Sequence, residues 1–60
     1  MTLDEWRIQQ NTTYEKIGRL LEISTSKVHR ICEKPKQVKL IDAVNITQKI
    51  PGITLEDFLK

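Results

Sequence analysis

Residues 20–32 read LLEISTSKVHRIC. The run is apolar at both ends, with three small hydroxyls (Ser24, Thr25 and Ser26) and three basic side chains (Lys27, His29 and Arg30) between them. Ser24 suits a helix N-cap, because its side-chain oxygen can accept a hydrogen bond from a backbone N–H that the first turn leaves unpaired. Ile23 before it and Val28 after it have the spacing of a hydrophobic staple. The helix opened there carries Val28, Ile31 and Cys32 on one stripe and turns Ser26, His29, Arg30 and Glu33 away from it. Upstream, Thr12 and Glu15 have the capping-box spacing and open a helix with Ile17 and Leu21 at i and i+4. Only about three residues, Glu22 to Ser24, join the two helices, and so short a joint forces the steep crossing of a helix-turn-helix. Gly18 falls mid-helix, where glycine costs ~1 kcal/mol relative to alanine. A close approach of two backbones accounts for it, with Ile17, Leu21, Ile23, Val28 and Ile31 as the seam.

The flanks read as further short helices. Thr2 and Glu5 form a capping-box pair, Leu3, Trp6 and Gln10 follow on one face, and Asn11 and Thr12 end the segment. Pro35, among lysines, marks a loop over 34–37. Residues 38–50, VKLIDAVNITQKI, are ambiguous. Val38, Leu40, Val44 and Ile46 fit a strand's period of two, whereas Leu40, Ala43, Val44, Thr47 and Ile50 make a helical stripe. No glycine turn divides the segment as a hairpin would require, so helix is favoured and strand is the alternative. Pro51 and Gly52 stop it. Thr54 caps a last short helix, with Ile53 and Phe58 as a second staple and Asp57 at N3. The expected fold is all-α: one domain over residues 1–60, a compact bundle of about five short helices around the central helix-turn-helix.

Sixty residues lie near the lower limit for a self-supporting core, and an apolar fraction of 38% is ordinary for a globular chain. The single cysteine, Cys32, excludes an internal disulfide and suits a reducing compartment, with the cytoplasm as the expectation. No apolar run approaches a membrane span. The net charge of +2 conceals an asymmetry. Residues 24–40 hold five cations (Lys27, Arg30, Lys34, Lys36 and Lys39) against Glu33 alone, a net of +4, while the flanks on either side are slightly acidic. A solvated charged face is one reading of that strip, and a surface for a polyanion is the other. His29 has no ligand partner at metal spacing, so no metal is expected. Nor is a cofactor, a small-molecule ligand or an enzymatic activity, because no nucleophile–base pair, carboxylate pair or phosphate loop is present.

TYEKIGRLLEISTSKVHRI, residues 13–31, resembles the helix-turn-helix of the phage Cro and cI repressor family. Thr13, Glu15, Ile17, Leu21, Ile23, Ser24, Val28, Arg30 and Ile31 fall where that family has the same or a similar residue, and Gly18 takes the place of a small alanine. LDEWRIQQN resembles the family's first helix, and IPGITLEDFL its closing segment. Residues 33–50 match only in general character. Three positions depart from the pattern. Tyr14 stands where the family often has a glutamine that contacts a phosphate, Cys32 replaces a common glutamate, and Glu22 replaces the turn glycine. The resemblance implies a small Cro-like transcriptional regulator of a phage or prophage. It would be a homodimer on a two-fold operator of double-stranded DNA, in the cytoplasm of a bacterial host and associated with its nucleoid.

A recognition helix enters the major groove with its N-terminal end. On that basis Thr25, Ser26, Lys27, His29 and Arg30 are candidates for reading bases, Arg30 being equally able to hold a phosphate. Thr13, Tyr14, Ser24, Lys34, Lys36 and Lys39 are candidates for the phosphate backbone, with Ser24 foremost a cap. The alternative to a DNA-binding function is a helix-turn-helix that docks a protein, as in an antirepressor or accessory subunit.

Overall fold

The computed structural model describes residues 1–59. Five α-helices, α1 (Leu3–Gln9), α2 (Tyr14–Leu21), α3 (Thr25–Glu33), α4 (Leu40–Lys49) and α5 (Glu56–Leu59), follow one another, with a single 3₁₀ turn at Pro35–Gln37. The described residues contain no strand, so the segment left open between helix and strand resolves to α4.

Side-chain caps fix where the first three helices begin. Thr2 accepts from the Glu5 N–H while the Glu5 carboxylate accepts from the Thr2 N–H, a complete capping box. Helix α2 starts one residue later than the spacing suggests, because Thr13 rather than Thr12 accepts from the Lys16 N–H. The cause lies in the end of α1. Asn11 adopts φ 52°, and the N–H groups of Asn11 and Thr12 turn back to the carbonyls of Ile8 and Arg7. This is a Schellman closure, and it commits Thr12 to the preceding helix. Ser24 caps α3, accepting from Lys27 N–H at 3.1 Å.

The joint between α2 and α3 repeats the closure. Glu22 is left-handed, φ 61° and ψ 41°, and the Glu22 and Ile23 N–H groups both reach the Gly18 carbonyl. A left-handed glutamate is costly, since Cβ crowds the following carbonyl. Lys49 of α4 lies beside it, with Nζ 3.5 Å from the carboxylate.

The core draws on every helix: Leu3, Ile17, Leu21, Val28, Ile31, Ala43, Ile46, Ile50, Ile53 and Phe58. Trp6, Tyr14, Ile23, Cys32 and Val38 pack half-buried against it. Helix α2 packs chiefly on α3, and α4 lies against α2. The Asn45 side-chain amide ties these last two, donating to the Leu21 carbonyl at 3.1 Å. The buried stripe of α4 is Ala43–Ile46–Ile50, not the face that begins at Leu40. Val44 and Thr47 are half-buried, while Leu40 and Ile41 stand 70% and 76% exposed because the first turn docks through Asp42 and Ala43 instead. Gln10 likewise lies exposed at the C-cap of α1 rather than on its packed face. At the far end Ile53 and Phe58 are buried as a staple would have them. There the Thr54 hydroxyl donates to Asp57 instead of accepting from its N–H, and the Asp57 carboxylate also receives the Thr54 N–H and the Met1 α-amino group. No helix among the described residues is long and apolar enough to cross a membrane.

Candidate nucleic-acid interface

The turn at Glu22 and the missing side chain at Gly18 bring α2 against the start of α3. A Cβ on Gly18 would lie 2.8 Å from the Ile23 carbonyl oxygen. That approach sets the angle of α3. Val28 and Ile31 then bury inward, so Thr25, Ser26, His29, Arg30 and Glu33 are all exposed on the outer side.

Beside that face runs a groove of about 290 Å³ between α3 and the chain leading into α4. Its walls bring together six of the candidates named from the sequence, Ser24, Ser26, Lys27, Arg30, Lys34 and Lys39, over an apolar floor of Ile31 and Val38. Gln37 and Asp42 complete it. Among the described residues, Arg30, Lys34, Lys36 and Lys39 make no ion pair within 4.0 Å. Cations without an internal partner keep their charge for a ligand.

Lys27 stands apart from that group. Its ammonium lies 3.0 Å from the Asp42 carboxylate, so it clamps α3 to α4 instead of standing free on the entering tip. Asp42 sits in the first turn of α4, where a carboxylate also meets the positive end of the helix. The Ser24 hydroxyl oxygen is occupied as a cap, and so is that of Thr13. Thr13, Tyr14, Thr25, His29 and Lys36 lie outside the groove lining.

Tyr14 is half-buried and carries two neighbours on its ring. The Arg7 guanidinium carbon is 4.7 Å from the ring centroid, and the His29 ring centroid is 4.1 Å away at an interplanar angle of 41°. Nearby, burial of Cys32 raises its thiol pKa to about 11, so the thiol stays neutral at physiological pH.

Asp42, Gln37 and Arg7 are the members of this surface that sequence reasoning missed. Asp42 had a signal, being the acid nearest the start of the uncertain segment 38–50. Gln37 and Arg7 had none, because their places depend on how the 3₁₀ turn and α1 are docked. No group of three or more potential metal-ligating side chains occurs among the described residues.

No protein-family model, curated protein or solved structure matches this chain.

Proposed function

We propose that the protein is a sequence-specific regulator of transcription that binds double-stranded DNA, a Cro-like repressor of a phage or prophage acting in the cytoplasm of its bacterial host. The observation that supports it most is the exposed polar face of α3 beside a groove lined by Arg30, Lys34 and Lys39, cations that, like Lys36, make no ion pair among the described residues. The resemblance of residues 13–31 to the Cro and cI family points the same way.

In this reading α3 enters the major groove, with Thr25 and Ser26 at its tip and His29 and Arg30 one turn further on. Short hydroxyls at such a tip reach base edges or a thymine methyl, and a guanidinium reads guanine through two parallel hydrogen bonds. Lys34, Lys36 and Lys39 hold the phosphates beside the groove and supply affinity without sequence information. Lys27 acts through Asp42, fixing α3 on the body of the protein. Two copies on a two-fold operator place their recognition helices in successive major grooves, ~34 Å apart.

A second reading, a helix-turn-helix that docks a protein, has Leu40 and Ile41 in its favour, since two adjacent apolar side chains are left uncovered. Binding to duplex DNA at graded salt separates the two. Phosphate contacts release counterions, so four cations predict affinity falling with a log–log slope of about −3 to −4 per protomer. Absence of duplex binding even at low salt overturns the DNA reading in favour of the protein dock.

A further inference from the structure

Arg7, Tyr14 and His29 come from α1, α2 and α3, and they stack around one ring. Arg7 lies 4.7 Å and His29 4.1 Å from the Tyr14 ring centroid. A carboxylate attends each end of the ladder: Asp4 accepts from Arg7 Nε at 3.1 Å, and Glu33 Oε1 lies 3.7 Å from His29 Nδ1. His29 is otherwise exposed, on the same outer side of α3 as Arg30.

We propose that the ladder makes His29 a pre-positioned, proton-dependent DNA contact, with Tyr14 and Arg7 as positioning residues that act through the aromatic ring rather than through the tyrosine hydroxyl. This inference rests on the DNA-binding reading. The structural reason is that an exposed histidine on a helix would ordinarily sample several rotamers, and ordering it on binding costs free energy. Packed against Tyr14, its imidazole is already held where the helix meets the groove.

Around the imidazole lie Glu33 and Arg30 on its own helix, Tyr14 from α2 and, across the tyrosine ring, Arg7 from α1. Arg7 is itself bonded to Asp4. Cys32, in the same neighbourhood, contributes no charge because its thiol is held neutral. Duplex DNA adds a dense negative potential on the exposed side. That potential favours a cationic over a neutral side chain at position 29 in the complex, so affinity rises as pH falls from about 8 to about 5.5.

The test is equilibrium binding to a duplex selected from random DNA, at about pH 8 and about pH 5.5 and across a salt series. The wild type should bind about five- to tenfold tighter at the lower pH, with a salt slope steeper by about one, the effect of one added phosphate contact. H29Q, at an exposed position, should be insensitive to pH over this range. Y14F should keep the wild-type pH response, and Y14L should lose most of it. A wild type with no pH response, or H29Q retaining that response, overturns the proposal while leaving DNA binding intact. Y14F losing affinity as Y14L does transfers the role to the hydroxyl and overturns the assignment to the ring. If the wild type binds no duplex at either pH, the ladder and the DNA reading fall together.

Discussion

A side chain at Gly18 would place its Cβ 2.8 Å from the carbonyl oxygen of Ile23, on the far side of the turn between α2 and α3. The obstacle is backbone, which cannot swing aside as the end of a flexible side chain would. Gly18→Ala gains ~1 kcal/mol in helix propensity. It loses more, because overpacking at such a contact costs about 1–3 kcal/mol. The expected outcome is a net destabilisation of up to about 2 kcal/mol in denaturant melts, accompanied by weaker DNA binding from a tilted α3. A variant as stable as the wild type would mean that the two helices separate at little cost.

Glu22 holds the left-handed conformation that glycine adopts freely. Its pairing with Lys49 is long and exposed, and a pair of that kind contributes little. Glu22→Gly should therefore raise stability by about 0.5–1 kcal/mol, even after the extra entropy of glycine in the unfolded chain. Matched denaturant melts showing a loss would assign the Glu22–Lys49 pair more weight than its geometry supports.

Two carboxylates set the acid side of stability. The Thr2 backbone N–H, foremost, holds Glu5 below the usual carboxylate range, and the Thr54 backbone N–H followed by the Met1 α-amino group does the same for Asp57. Both groups are depressed in the folded state. Their contribution is thus present above the unfolded pKa of about 4 and is lost as pH falls through the lower folded values. A Glu5→Gln, Asp57→Asn double variant should show a shallower fall in stability below about pH 4.5 than the wild type. Urea melts over that range check it, and identical slopes would remove both caps from the account.

Arg30 and Lys36 should fail in different ways. Arg30→Ala should weaken binding by about 1–3 kcal/mol and relax preference at one base position. Uniform weakening across sequences would reassign it to a phosphate. Lys36→Ala should weaken all duplexes alike and reduce the salt slope by about one. An unchanged slope would take Lys36 out of the interface.

What was legible in the sequence was local. Ser24, Thr2 and the short joint mark helix starts because a cap depends on residues three apart, and Gly18 marks the crossing because a close backbone approach leaves no room for a side chain. The features that escaped depend on how helices dock. Thr12 has the capping-box spacing to Glu15, but the closure of α1 claims its N–H and the cap passes to Thr13. The buried face of α4 was misplaced toward Leu40 because the composition of 38–50 allows several apolar faces, and only packing against α2 chooses among them. Lys27 looked free for a ligand because Asp42, fifteen positions away, lies beside it only once α4 is in place. Tyr14 was read through its hydroxyl, whereas its ring meets residues from two other helices.

The most direct measurement of DNA reading by α3 is selection of bound sequences from random duplex DNA. The expected result is enrichment of a two-fold symmetric consensus with half-sites about one helical turn apart, and loss of one consensus position in each half-site with Arg30→Ala. A bound pool no different from the input at low salt would contradict it.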